Sequence, residues 1–333
     1  MTESVFDTRD RIRAGELSAA AAAEEALRQV EAVNPQLEAA TDILREDALA
    51  QAAEIDRRLG VGEEPGPLAG IPFTVKSNIC TLGGRTSAAS RIIEGHVSPY
   101  EATAVRRLRE AGAVCVAKTN LDEFGMGSST ENSSIKVTKN PWKTTHVPGG
   151  SSGGAAALCS ATRGMLHLGS DTGGSIRQPA SYCGVTGLKP TYGRVSRYGL
   201  LAFASSLDQI GPLTSDVRDA ALVLDIISGY DPMDSTSIPD TMTGFVDALD
   251  EGVEGLRIGV PDAATLKTFL AGADAKTLQA TASQLARHKV KIAGLPSAAA
   301  VAARAKEVQA PIAVPKADPK NPNLVANIKP EAA

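Results

Sequence analysis

The order of the predicted elements indicates an α/β fold for this chain of 333 residues. The segment 70–117 contains a β-rich run, an amphipathic helix and a second β-rich run, which is the β-α-β pattern typical of this class. The alternation continues to about Pro261, and 43% of all residues are apolar, which supplies a sizeable core. We therefore expect an ordinary globular α/β protein.

Residues 1–65 are predicted to form an N-terminal helical layer. Ser18 is a suitable N-cap for an alanine-rich helix that should end near Asn34-Pro35, because proline disfavours the helical conformation of the residue before it. A short extended piece and a second helix follow, and Gly60 is placed to end that helix.

The core is predicted to span 66–262 and to begin with a strand. The run GIPFTVK at 70–76 follows a turn rich in glycine and proline and is itself rich in β-formers. Lys76 lies at the C-terminal end of this strand, where α/β sheets commonly place functional groups.

A helix and a second strand are predicted next. Ser98-Pro99-Tyr100-Glu101 has the pattern of a capping box with proline at the first helical position, which predicts a helix over 99–111. Gly112 should end this helix, and the apolar run AVCVA at 113–117 is typical of a buried strand.

Two glycine-rich loops dominate the rest of the core. GGSSGG occupies 149–154 and TGGS occupies 172–175, with an alanine-rich helix and a strand at 165–171 between them. A helix over about 215–228 and a strand at 256–261 complete the predicted core.

The pattern weakens after Pro261. We expect 263–310 to be a weak α/β segment with one helix at about 275–288, and the proline-rich stretch 311–333 to be disordered.

Composition and charge exclude several classes of function. A formal charge of −4 provides no basic surface for nucleic acid or an anionic membrane, and no apolar run reaches the roughly 18 residues that a membrane span needs. The cysteines are far apart and form no CxxC pair, which argues against a zinc site or a disulfide framework and favours buried free thiols in a reducing cytosol. They are Cys80, Cys115, Cys159 and Cys183.

The glycine-rich loops favour binding of an oxyanion over binding of a nucleotide. GGSSGG lacks the Gly-Lys-Ser/Thr ending of a P-loop, and the second loop lacks the GxGxxG spacing. Glycines let several backbone amides surround one developing negative charge. The backbone of Thr172, Gly173 and Gly174, together with Ser175, is therefore a candidate oxyanion hole.

A serine nucleophile needs a base, and histidine is a poor candidate in this chain. None of the four histidines lies among catalytic residue types, and the GxSxG motif is absent, although His146 precedes the first glycine loop. Lys76 can act instead if burial lowers its pKa. Local evidence alone favours other interpretations, in which Lys76 is a lysine with a buried stem and Ser151 and Ser175 are helix caps.

Longer motifs favour the catalytic interpretation of these residues. GIPFTVKSN, GGSSGG and GSDTGGSIRQPA (169–180) closely resemble the amidase signature family. Within the family, the segments at 118–133 and 183–212 are most similar to the A subunits of tRNA-dependent glutamyl/aspartyl amidotransferases. The resemblance covers roughly Leu17 to Pro261 and implies a mixed central sheet with helices on both faces, incomplete at the C-terminus.

The resemblance also implies roles for individual residues. Lys76 matches the family's base, Ser151 its bridging serine, which follows a cis peptide bond, and Ser175 the serine that is acylated. The stretch Met126, Gly127 and Ser128 is similar to the loop that lines the family's substrate pocket. No metal site and no cofactor in this chain are implied.

By the same resemblance we expect a cytoplasmic, glutamine-hydrolysing member of a ligase complex, which works with B and C subunits. The B subunit would use ATP and Mg²⁺, and tRNA would be bound only through the complex. Two alternatives stay open: a stand-alone amidase acting on small amides, or an inactive homologue. Both arise because the family's C-terminal third, which holds the α-carboxylate and α-amino group of glutamine, has no counterpart in this sequence.

Overall fold

A computed structural model describes residues 4–240, 243–252 and 254. The chain divides into two units, Met1–Gly252 and Val253–Ala333, and the fold reported below belongs to the first. The predicted strand at 256–261, the weak segment 263–310 and the tail 311–333 lie outside the described residues.

A mixed six-stranded sheet forms the centre of the first unit, in the order β1-β3-β2-β4-β6-β5. Strand β2 pairs in parallel with β3 and with β4, whereas β1 and β6 run antiparallel to their neighbours β3 and β4, and β5 runs antiparallel to β6. The strands are β1 Ala40–Ile43, β2 Pro72–Lys76, β3 Val114–Thr119, β4 Leu166–Asp171, β5 Thr186–Gly187 and β6 Gln209–Thr214. The expected mixed sheet is confirmed.

Helices cover both faces of this sheet. They are α1 Val5–Arg13, α2 Ala19–Leu37, α3 Arg45–Gly60, α4 Thr103–Glu110, α5 Gly153–Ala161, α6 Arg177–Cys183 and α7 Val217–Ile227, with 3₁₀ turns at Glu123–Gly125 and Asp247–Asp250. The side chains of β3 alternate between the two faces. Val114 and Val116 pack in one apolar cluster with α2, α3 and α5, and Cys115 packs in another with α4 and α7.

The N-terminal layer follows the prediction except at two points. Ser18 caps α2 by accepting a hydrogen bond from Ala21 N at 3.0 Å. The helix runs past Pro35 to Leu37, and not to Asn34-Pro35 as expected, because a proline in the last turn removes only one N–H group. The Asn34 Oδ1 atom then accepts the amides of Ala39 and Ala40 and ends the helix there. Helix α1, capped by Ser4 and Asp7, was not predicted.

The predicted start of the helix at 99–111 is wrong. Helix α4 begins at Thr103, because the Ser98 hydroxyl closes a local turn with the backbone of Tyr100 instead of capping a helix. Glu101, which the capping box required, pairs with Arg109 at 2.9 Å. The helix ends as expected, since Gly112 adopts a φ of 90° directly after it.

Two further observations concern the cysteines and the hydropathy of the helices. All four cysteines are buried and free, as predicted. Among residues 4–240, 243–252 and 254, we find no helix with both the length and the apolar character needed to cross a bilayer.

Candidate active site

The Lys76 side chain lies where the two central parallel strands end. Val75 of β2 pairs with Leu168 of β4, so Lys76 and Ser170 follow at the same edge of the sheet. Lys76 is fully buried, and its Nζ atom is 2.7 Å from Ser151 Oγ, 3.0 Å from Ser170 Oγ and 3.3 Å from the Ser170 carbonyl oxygen. The amine therefore contacts two serine hydroxyls inside the protein.

Burial brings the amine of Lys76 into the range where it can act as a base. Removal from water lowers the pKa of Lys76 from 10.5 to about 7, and the negative charges of Asp122, Asp171 and Asp208 oppose this only in part. About half of the lysine is therefore neutral at pH 7, and a neutral amine can accept a proton from Ser151.

Ser151 lies in a tightly packed loop that immediately precedes α5. The peptide bond between Gly150 and Ser151 is cis, as the resemblance implied. A Cβ atom on Gly150 would lie 2.1 Å from Asp122 Oδ2, so only glycine fits beside that carboxylate. The Ser151 carbonyl accepts the Asp122 amide at 3.3 Å, which ties the serine to the segment that follows β3.

Ser175 lies next to this loop, between β4 and α6. Its carbonyl oxygen accepts the Ser152 amide at 3.0 Å, and its side chain is nearly buried. Within the described chain, the Ser151 and Ser175 hydroxyls form no hydrogen bond with each other. The structure thus joins Lys76 to Ser151 directly and places Ser175 beside them through the backbone.

Asp171 organises the turn that carries Ser175. Its carboxylate accepts the amides of Gly174 and Ile176 at 2.9 and 3.0 Å, and Arg177 donates to both oxygens. Although burial raises the pKa of Asp171, these hydrogen bonds outweigh it and the pKa stays below its ordinary value. Asp171 therefore remains ionised and fixes the turn.

The same turn narrows the predicted oxyanion hole. The Gly174 amide is committed to Asp171, and the Thr172 hydroxyl donates to Asp208 Oδ1 at 2.5 Å. The amides of Gly173 and Ser175 have no hydrogen-bond partner among the described residues, and a Cβ atom on Gly173 would meet nothing within 4 Å. These two amides, unlike that of Gly174, have no partner within the turn, and the hydrogen bond of Thr172 to Asp208 occupies its hydroxyl and not its backbone amide.

The predicted pocket loop lies at the protein surface next to Ser151. Met126, Gly127 and Ser128 are exposed, and the preceding Gly125 lies against Ser151, since a Cβ atom there would be 3.7 Å from Ser151 Oγ. Asp122 positions the loop by accepting the Ser129 amide at 3.3 Å.

Sequence reasoning missed three polar residues of the site: Asn78, Asp122 and Ser170. Asn78 Nδ2 donates to Ser170 Oγ at 3.0 Å, and both residues are at least nine-tenths buried. A possible signal was the position of Asn78 and Ser170, because both lie at or just past the ends of neighbouring parallel strands.

The described histidines take no part in this arrangement. His96 and His146 are exposed, the His146 ring forms a hydrogen bond with Thr145, and the His167 ring forms one with Thr74. Burial lowers the pKa of His167 to about 3, which keeps it neutral. The part of the chain that the structure describes contains no group of three or more residues suited to hold a metal ion.

A buried lysine joined to a serine beside two glycine-rich loops fits a hydrolase that uses serine without histidine. Comparison with known proteins gives the family: the pattern of the Amidase family matches residues 21–310, and the chain belongs to this family.

Among its relatives is the A subunit of glutamyl-tRNA(Gln) amidotransferase from Carboxydothermus hydrogenoformans, 52% identical over 272 residues that cover 82% of this chain and 55% of the relative. The structure of the corresponding A subunit from Thermotoga maritima is similar, with a TM-score of 0.66 and 43% identity over 80% of this chain and 56% of that one. The native peptide amidase of Stenotrophomonas maltophilia has a TM-score of 0.67 and 40% identity over 72% of this chain and 50% of the amidase. The chain spans about half the length of these relatives.

Proposed function

We propose that the chain is the glutamine-hydrolysing, ammonia-supplying part of a tRNA-dependent amidotransferase that converts Glu-tRNA(Gln) to Gln-tRNA(Gln), or Asp-tRNA(Asn) to Asn-tRNA(Asn). The observation that carries the chemistry is the 2.7 Å contact between buried Lys76 Nζ and Ser151 Oγ. The choice of substrate rests on relatives that are named as A subunits of glutamyl-tRNA(Gln) amidotransferase.

The proposed reaction is a relay of protons through two serines. Neutral Lys76 takes a proton from Ser151, Ser151 takes one from Ser175, and Ser175 Oγ attacks the side-chain carbonyl carbon of glutamine. The second transfer requires the Ser175 side chain to turn toward Ser151. The amides of Gly173 and Ser175 stabilise the oxyanion.

Collapse of the tetrahedral intermediate completes acylation. The C–N bond breaks, the proton held by Lys76 returns through Ser151 to the departing nitrogen, and ammonia leaves behind an ester on Ser175. Water then attacks this ester by the same relay, which releases glutamate and restores the Ser175 hydroxyl.

The proposal includes partners and a compartment. A B subunit would use ATP, Mg²⁺ and the released ammonia to amidate the misacylated tRNA, and a C subunit would stabilise the pair. This chain would meet tRNA only within that complex. Four free buried thiols are in keeping with a cytoplasmic protein.

The test is release of ammonia and glutamate by the 333-residue chain, by itself and together with the B and C subunits from a relative. We expect wild-type protein to release both products and to be labelled at Ser175 by a fluorophosphonate, as located by mass spectrometry. Ser175→Ala should abolish both signals, whereas Thr145→Ala, a change at an exposed residue of the 140–148 loop, should preserve them.

A second candidate is a stand-alone amidase, which the similarity to a peptide amidase favours. A panel of aliphatic, aryl and peptide amides assayed beside glutamine distinguishes the two, because preference for glutamine contradicts the second candidate. A folded, monodisperse protein that neither hydrolyses amides nor is labelled at Ser175 would instead be an inactive homologue.

A further inference from the structure

We infer that Ser170 and Asn78 are positioning residues that hold the Lys76 amine with its lone pair directed at Ser151. The inference rests on the proposed function, because it concerns how the same relay accepts its proton. It assigns a role to two side chains that neither form the nucleophile nor contact it.

The hydrogen bonds around Lys76 Nζ match both states of the amine. A neutral amine has two N–H groups and one lone pair. Ser170 offers two acceptors, its carbonyl oxygen at 3.3 Å and its Oγ at 3.0 Å, which together take both N–H groups. The lone pair is then left for the Ser151 hydroxyl at 2.7 Å. After the proton is taken up, the three N–H groups of the ammonium have three oxygen acceptors.

Ser170 can serve in this way because its backbone and its side chain are fixed separately. The Ser152 hydroxyl donates to the Ser170 carbonyl at 3.0 Å and accepts the Ser170 amide at 3.3 Å. Asn78 Nδ2 donates to Ser170 Oγ at 3.0 Å, which keeps that oxygen turned toward the lysine. The hydroxyl oxygen therefore lies between two nitrogen donors.

Asn78 shows a further sign of this role. It is 2% exposed, yet its Oδ1 atom has no hydrogen-bond partner among the described residues. A buried oxygen without a hydrogen bond costs free energy, so the position of the carboxamide is not explained by its own hydrogen bonding. The hydrogen bond from its Nδ2 atom goes to the hydroxyl that holds Lys76.

The carboxylates of Asp122, Asp171 and Asp208 are the charged groups that act on Lys76. Changes at Ser170 and Asn78 leave all three in place, so an altered titration of Lys76 would report on its hydrogen bonds to Ser170.

The experiment is a double-mutant cycle on the rate at which a fluorophosphonate labels Ser175 in the 333-residue chain. We expect Ser170→Ala to slow labelling about tenfold and Asn78→Ala about fivefold, as for loss of one buried hydrogen bond. If Asn78 acts through Ser170, the double variant should be no slower than Ser170→Ala alone. Ser170→Thr, which keeps the hydroxyl, should restore most of the rate.

The matched control is Thr74→Val. Thr74 lies on β2 with Lys76, and the change removes its buried hydrogen bond of 2.8 Å to His167 of β4 without altering a contact of Lys76. It should label like wild type once thermal unfolding shows that it is folded. Ser170→Ala labelling within about twofold of wild type, or effects that multiply in the double variant to about fiftyfold, would overturn the inference.

A second measurement separates this inference from the proposed function. If wild-type protein is not labelled at Ser175, the proposed function is refuted. The protonation of the Lys76 amine can still be followed by ¹³C-lysine NMR, with the Lys76 signal assigned by its loss in Lys76→Met. Ser170→Ala should move the titration midpoint of Lys76 to lower pH, because the ammonium loses a charge-assisted hydrogen bond. An unchanged midpoint would contradict the inference.

Discussion

Replacing Lys76 with methionine should change how stability depends on pH, and the structure sets the size of the effect. The lysine has a pKa of about 7 when folded and 10.5 when solvated. Between these values the unfolded chain binds one proton more than the folded chain, so the free energy of unfolding rises with pH. Methionine has a similar length and takes up no proton.

The difference in unfolding free energy between wild type and Lys76→Met isolates this contribution. With the two pKa values above, the wild type should gain about 2 kcal/mol relative to the variant between pH 7 and pH 9. Urea denaturation followed by circular dichroism, at several pH values in the same buffer series, measures it.

The second buried lysine provides a graded control. Lys118 donates to the Ile79 carbonyl and to Thr81, and burial lowers its pKa to about 8. Lys118→Met should show the same sign with about half the change over the same pH range. Parallel stability curves for wild type and Lys76→Met would refute a lysine that is largely neutral at pH 7 to 8.

Three other predictions concern the labelling rate of Ser175, the packing of Gly154 and the titration of Asp219. The rate of fluorophosphonate labelling at Ser175 should rise with pH through a midpoint of about 7 and then level off, and a rate that is flat from pH 5 to 9 would contradict Lys76 as the base. Gly154→Ala should lower the unfolding free energy by at least about 2 kcal/mol in urea denaturation, because the added Cβ atom would lie 2.5 Å from the Ala39 carbonyl oxygen. In the control Gly60→Ala, the added Cβ atom meets nothing within 4 Å, so the unfolding free energy should change little. Burial raises the pKa of Asp219 to about 6. As the pH rises from 4 to 6, the wild type should therefore lose about 1–2 kcal/mol of unfolding free energy relative to Asp219→Asn. Equal pH profiles for the two proteins would show that the carboxyl is not buried enough to matter.

Local sequence signals predicted four strands of the sheet but missed the antiparallel strands β5 and β6. Apolar runs identified β2, β3 and β4, which are buried along their whole length. Strand β6 contains Gly211 and Pro212, which local rules disfavour in strands, yet Leu168 of β4 pairs with Pro212 there. Such pairing depends on the neighbouring strand, which a local pattern does not contain.

The candidate site also combines features that the sequence indicates with features that only the folded chain shows. Lys76, Ser151 and Ser175 belong to motifs, and the structure brings all three to one place. The commitment of the Gly174 amide to Asp171 and the contact of Ser170 with Lys76 arise from hydrogen bonds in the folded chain, so no spacing in the sequence indicates them. At Ser98 the sequence indicated a contact that the fold does not form. The residues match a capping box, but the Ser98 hydroxyl closes a local turn with Tyr100 instead of capping a helix.

The order of the strands explains why the chemistry collects at this edge of the sheet. Because β2 and β4 are adjacent and parallel, their C-terminal ends coincide, and Lys76 meets Ser170 there without any long loop. The following turn carries Ser175, and the loop before α5 brings Ser151 to the amine. The proposed proton relay therefore depends on the central strand pair of the sheet, whereas the predicted pocket loop at Met126 is exposed. Substitutions in that loop should alter which amide is hydrolysed, measured as kcat/KM across the amide panel, while the pH midpoint set by Lys76 stays the same.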